Sequence, residues 1–107
     1  MVERILLYDT IFQSLADPTR RDILKRVSAG PLSIKEIAEP YKMSFAAVAK
    51  HVAVLGRARL VTKKRVGKEQ LVSASAKTIK TAAEYFRQYE DMWNTRFDAL
   101  GKLLAKR

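Results

Sequence analysis

The sequence predicts a mostly α-helical domain that carries one small β-hairpin. Three observations predict it. Apolar residues recur at helical spacing up to about residue 58 and again after residue 75. Between those stretches Val61 to Ser73 changes to a strand–turn–strand pattern around Gly67-Lys68. The three prolines, Pro18, Pro31 and Pro40, fall at boundaries between periodic runs.

A chain of 107 residues with 48 % hydrophobic and 30 % charged residues is globular in composition and has room for one core, so residues 1–107 read as one domain. The longest apolar run, Phe45 to Ala49, is far too short to span a membrane. No membrane partner is expected. The acid in Met1-Val2-Glu3-Arg4 breaks a signal-peptide pattern, so a cytoplasmic location is expected. Cysteine is absent, which removes disulfides, thiolate metal sites and cysteine nucleophiles.

Taken in order, residues 5–15 place Leu7 or Tyr8, Ile11, Phe12 and Leu15 on one helical face. Asp17-Pro18 restarts the chain, since aspartate is a good N-cap and proline is preorganised for a first helical turn. That second helix carries Ile23, Leu24 and Val27 and is expected to stop near Ala29-Gly30. Ser33 and Glu36 form a capping box for a short third helix, which Pro40 ends. Ser44 caps a fourth helix, Phe45 to about Ala58, with Val48, Val52 and Leu55 in one stripe. Two helices joined by Tyr41-Lys42-Met43 make a helix-turn-helix over about 33–58.

A hairpin over about 60–73 that follows directly is the layout of a winged domain. Two strands with a charged tip are marginal alone, so this wing is expected to pack on the helices. The last helix, about 76–104, aligns Ile79, Ala82, Phe86, Tyr89, Trp93, Arg96, Leu100 and Leu103 in steps of three and four, with Arg96 the one break in the apolar register and Phe97 beside it. It reads either as a core helix or as a dimer seam. The seam is favoured, because a chain this small has little surface of its own to cover the stripe. The expected interface residues are Ile11, Phe86, Tyr89, Trp93, Phe97 and Leu100.

Charge locates the function. The net charge is +10, and residues 40–72 hold eight bases (Lys42, Lys50, Arg57, Arg59, Lys63, Lys64, Arg65, Lys68) against the single acid Glu69. A solvated face explains an evenly spread excess well and a concentrated, nearly acid-free block poorly. The expected partner is double-stranded DNA, with the first half of the fourth helix in the major groove. Lys42, Ser44, Phe45, Ala46, Ala49, Lys50 and His51 are the candidate contacts there, and Lys63, Lys64, Arg65 and Lys68 of the wing would follow the backbone. Ser44 also leaves first-turn amides suited to a phosphate. The recognition helix is bare of bidentate groups, so readout would lean on Lys50, on His51, on apolar contact with thymine methyls and on DNA shape.

Enzymatic chemistry is not expected. His51 is the only histidine, and no nucleophile triad or phosphate-cradling glycine loop is present. No metal or cofactor is expected either; Glu90, Asp91 and Asp98 read as solvated acids on the last helix.

These residues resemble the ArsR family of bacterial winged helix-turn-helix repressors. The resemblance is carried by IFQSLADPTRRDIL (11–24), LSIKEIA (32–38), MSFAAVAKHVAVL (43–55) and LVTKKRVGK (60–68). The tail MWNTRFDAL (92–100) is similar to a subgroup without metal sites. The resemblance implies a homodimer built from the first and last helices, DNA reading by the fourth, and repression of a palindromic operator relieved by an unknown inducer. The chain departs from the metal-sensing members, having no thiolates on the third helix, and has Pro40 before the turn and alanine at 49. The alternatives are a winged-helix protein-interaction module and a non-specific DNA architectural protein.

Overall fold

The computed structural model describes residues 2–105, and the side chains among them apart from those of residues 2–6 and of Trp93. Helix α1 (Val2–Ser14) leads into α2 (Pro18–Ser28), strand β1 (Leu32–Ser33), α3 (Ile34–Ala38) and α4 (Phe45–Arg57). Strands β2 (Val61–Val66) and β3 (Glu69–Ala74) follow, and α5 (Ala76–Ala105) closes the chain. The expected order of helices and wing is observed.

Helices α2, α3 and α4 each start where a side chain can satisfy their free amides. Asp17 accepts from the Arg20 amide at 3.0 Å, with Pro18 in the first turn of α2. Ser33 Oγ accepts from the Glu36 amide at 3.1 Å, while the Ser33 amide donates to Glu36 Oε1 at 3.0 Å, the reciprocal box the sequence indicated. Ser44 Oγ accepts from the Ala47 amide at 3.1 Å.

The wing is not a free two-stranded hairpin. Leu32 and Ser33 add a short third strand, giving an antiparallel sheet in the order β1-β3-β2. Leu32 pairs with Val72 and Ser33 with Leu71, so β3 runs through the middle with Val72 fully buried. Two residues are too few to show an alternating pattern, and for that reason the sequence did not announce β1. Ser33 ends β1 and caps α3 at once, which ties the sheet to the helix-turn-helix.

One core joins these elements: Ile11, Ile23, Ile37, Val48, Val52, Leu55, Leu60 and Val72 are sealed from solvent. Only the first turns of α5 share in it. Ala82 is buried, and Tyr85 stacks on Tyr8 with ring centroids 3.9 Å apart, while Phe86 meets Phe12 at 4.7 Å. Beyond Phe86 every described side chain of α5 is exposed. The core-helix reading therefore holds for the start of α5 and fails for the rest. Ile11, expected at a dimer seam, is instead 0 % exposed inside the protomer, because α1 turns that face onto the core.

Candidate nucleic-acid interface

The charge of α2 and the charge of the 40–72 block are used differently. Arg20 donates from Nε to the Ser14 carbonyl at 2.5 Å and from Nη2 to Gln13 at 3.2 Å, and Arg21 donates to Leu15 at 2.8 Å. Those carbonyls end α1, where unpaired acceptors and the negative end of the helix favour a cation. Arg26 caps α3 in the same way through Ile37 and Glu36, at 2.7 and 3.1 Å. Sequence reasoning missed these roles; an arginine bound to main chain reads in sequence only as a base.

By contrast, Lys42, Lys50, Arg57, Arg59, Lys63, Lys64, Arg65 and Lys68 are all exposed, and among the described residues none is held in an ion pair. Arg65 makes one long bond, 3.4 Å, to the Gly67 carbonyl at the wing tip. Gly67 itself takes a φ of 63°, the left-handed conformation that a tight hairpin turn requires.

The geometry of α4 sorts its expected contacts. Val48, Val52 and Leu55 point into the core, so the opposite stripe carries Ala46, Lys50 and Arg57 into solvent, with Ala49 and Ala53 half-buried beside it. Phe45 projects from the first turn and Ser44 caps it. His51 does not join this face. At roughly 100° per residue it lies about 60° from Val48, on the side turned to α2. Its Nδ1 is 3.4 Å from Arg20 Nη1 and 3.9 Å from an Asp17 oxygen. His51, expected among the DNA contacts, is thus half-buried and turned toward Arg20 and Asp17.

Between α3, α4 and the wing lies an open groove of about 440 Å³, lined by Ser33, Ile34, Lys35, Phe45, Ala49 and Lys68–Gln70. The supports behind this face are polar and engaged. The backbone amide of Arg20 holds the Asp17 carboxyl below its ordinary range, and the Ser33 amide and hydroxyl do the same for Glu36. Burial, followed by the bond to Asp22, pushes the Tyr41 phenol up. Among the described residues no group of three or more histidines, cysteines or acids could hold a metal ion.

Of the expected seam residues, Phe86, Tyr89, Phe97 and Leu100 lie exposed along α5, in company with Met92, Leu103 and Leu104. The Trp93 side chain falls outside the described residues. No helix among the described residues is long and apolar enough to cross a membrane.

Several known proteins to which this chain is similar are described as transcriptional regulators. A helix-turn-helix domain family model matches residues 15–64. The HTH-type transcriptional regulator Rv2034 of Mycobacterium tuberculosis (strain ATCC 25618 / H37Rv) is 44 % identical over 59 residues, 55 % of this chain and 55 % of that protein. The transcriptional repressor SdpR of Bacillus subtilis (strain 168) is 30 % identical over 59 residues, 55 % of this chain and 66 % of that protein. The matches thus span 55 % and 66 % of the lengths of these two relatives. An ArsR-like transcriptional regulator from Rhodococcus sp. RHA1 superposes with a TM-score of 0.75 at 25 % identity, covering 94 % of this chain and 95 % of that one. The homodimeric winged helix-turn-helix DNA-binding domain Mb0332 (fragment 1-100) from Mycobacterium bovis shares the fold, with a TM-score of 0.67 at 18 % identity over 87 % and 83 % of the two chains. The winged helix-turn-helix reading agrees with these relatives.

Proposed function

We propose that this chain, an ArsR-family winged helix-turn-helix protein without the cysteines of the metal sensors, is a DNA-binding transcriptional repressor that acts as a homodimer on a palindromic operator. One observation carries the reading: the bases of α4 and the wing stand exposed and outside any ion pair on one part of the chain, while the three arginines of α2 are consumed by main-chain carbonyls. A polyanion is the partner such a surface fits.

In this arrangement the start of α4 enters the major groove. Lys42, Lys50 and the amides around Ser44 engage phosphates or guanine edges. Lys63, Lys64, Arg65 and Lys68 of the wing follow the neighbouring backbone. The exposed apolar half of α5 meets a second copy, and the likeness to a domain described as homodimeric supports that pairing. Two half-sites follow from two-fold symmetry. The similarity to a named repressor supports the direction of regulation.

The test is binding to the duplex upstream of the chain's own gene, against a random duplex of equal length, across a salt series. Specific binding exceeds random by at least about a thousandfold for regulators of this kind. Equal affinity for both duplexes at physiological salt would overturn the repressor reading.

A further inference from the structure

We propose that Phe45 reads the 5-methyl group of a pyrimidine in the major groove, so that the operator is chosen partly by methyl groups rather than by hydrogen-bonding base edges. The inference rests on the DNA-binding reading above and deepens it.

Phe45 is 58 % exposed at the first turn of α4, although Val48, Val52 and Leu55 further along the same helix are sealed in the core. A ring left in water at that position adds little to the packing of the fold. It belongs to a cationic segment, with Lys42 three positions before it and Lys50 five after it, and Lys35 and Lys68 on the groove it helps to line. That setting suits an apolar contact made inside a polyanion's groove.

The outward surface of the first half of α4 lacks the usual bidentate readout groups. Ala46, Ala49 and Ala53 carry only methyl groups. Lys50 donates and cannot accept. His51, whose ring could do both, is engaged with Arg20 and Asp17. Phe45 and these methyl groups have neither donor nor acceptor, so at a base that they alone touch they cannot tell the O4 of thymine from the N4 of cytosine, but they can register the 5-methyl group that thymine presents. Thymine and 5-methylcytosine are then read alike, and uracil and cytosine alike.

The experiment uses the full chain. A preferred duplex is selected from a random pool, and each thymine is replaced in turn by deoxyuridine. At one or more positions per half-site affinity falls about fourfold, the ratio expected for one methyl-sized apolar group. Cytosine at such a position binds worse than 5-methylcytosine by a similar factor. Phe45→Ala, at an exposed site, keeps the helical circular dichroism and binds the thymine and uracil duplexes equally; Phe45→Leu keeps part of the discrimination. Indifference of the wild-type chain to deoxyuridine, or undiminished discrimination in Phe45→Ala, overturns the proposal. A pool that yields no preferred duplex overturns the sequence-specific reading itself and the methyl reading with it, a result distinct from a preferred operator indifferent to methyls.

Discussion

Arg26 of α2 reaches the Ile37 main-chain oxygen with Nη1 at 2.7 Å, and its second nitrogen takes the Glu36 oxygen at 3.1 Å. Helix α3 has only five residues, too few to hold itself, and this fork closes its last turn. The same guanidinium lies 5.3 Å from the centroid of Tyr41, whose hydroxyl donates to Asp22. Helix α2 thus fixes where α3 ends and where the turn toward α4 begins. Arg26→Ala is expected to lower the unfolding free energy by about 2 kcal/mol. Arg26→Lys should recover less than half of that, because an ammonium cannot bridge two carbonyls as a planar fork does. Urea unfolding measures both, and a lysine variant as stable as wild type would remove the two-carbonyl clamp from the account.

Lys63, Lys64 and Arg65 stand on β2 exposed to solvent, so reversing their charge should leave the fold intact. Replacing all three with glutamate is expected to abolish measurable duplex binding at physiological salt. Replacing them with glutamine should instead reduce the slope of log K against log salt by up to about 3, roughly 0.9 for each phosphate no longer neutralised. Fluorescence anisotropy across a salt series reads the slope. An unchanged slope would mean that the wing does not touch the backbone, as the protein-interaction alternative requires.

How much of this was legible beforehand depends on the kind of signal. Ser33, Ser44 and Asp17 announced their helix starts because capping is local and the residue types that do it are few. The stripe of Val48, Val52 and Leu55 announced the buried face of α4 through the helical repeat. Strand β1 was silent because its existence depends on β3, some forty positions away. The tie between Arg20 and His51 was silent for the same reason, being a contact between two helices. Ile11 could have served the core or a seam, and only the way α1 lies on the core decided it.

Arg59 has a φ of 62°, a left-handed conformation at the end of α4 that usually belongs to glycine. Its amide donates to Gly56 at 3.0 Å and that of Leu60 to Leu55 at 3.1 Å, a Schellman closure whose two leucines are both buried. A side chain in that conformation costs about 1 kcal/mol. Arg59→Gly is therefore expected to raise thermal stability by up to about that amount while weakening duplex binding, since it removes an exposed base beside the wing. A glycine variant that gained stability and kept full DNA affinity would show that the strain at 59 serves nothing on the DNA.

Acid should loosen the fold through two caps. The Asp17 carboxylate accepts from the Arg20 amide and the Glu36 carboxylate from the Ser33 amide, and these bonds hold both groups below their ordinary titration range. A depressed folded-state value means that the stabilisation is fully present above the unfolded value and is lost as pH falls through the folded one. The unfolding midpoint should be level down to about pH 5 and fall below about pH 4. Asp17→Asn with Glu36→Gln should flatten that acid limb. An acid limb as steep in the double variant as in wild type would place its origin elsewhere.

The long helix makes the strongest demand on a partner. The chain has a radius of gyration of 18.1 Å, against about 13 Å for a compact chain of its length, because α5 runs out past the core. Phe97, Leu100 and Leu103 on that extension are 62 %, 51 % and 62 % exposed, a large apolar stripe for a lone helix to leave in water. A second copy related by two-fold symmetry would cover it and set the separation of two recognition helices. Leu100→Asp with Leu103→Asp is expected to convert the chain to monomers in sedimentation at micromolar concentration. Its affinity for a duplex with two half-sites should drop to that for one, since the linked second binding event is gone. Neither residue lies among the buried residues of the core, so unfolding is not the anticipated route to that loss. A wild-type chain that sediments as a monomer, or a double variant that stays dimeric, would move the interface off this stripe.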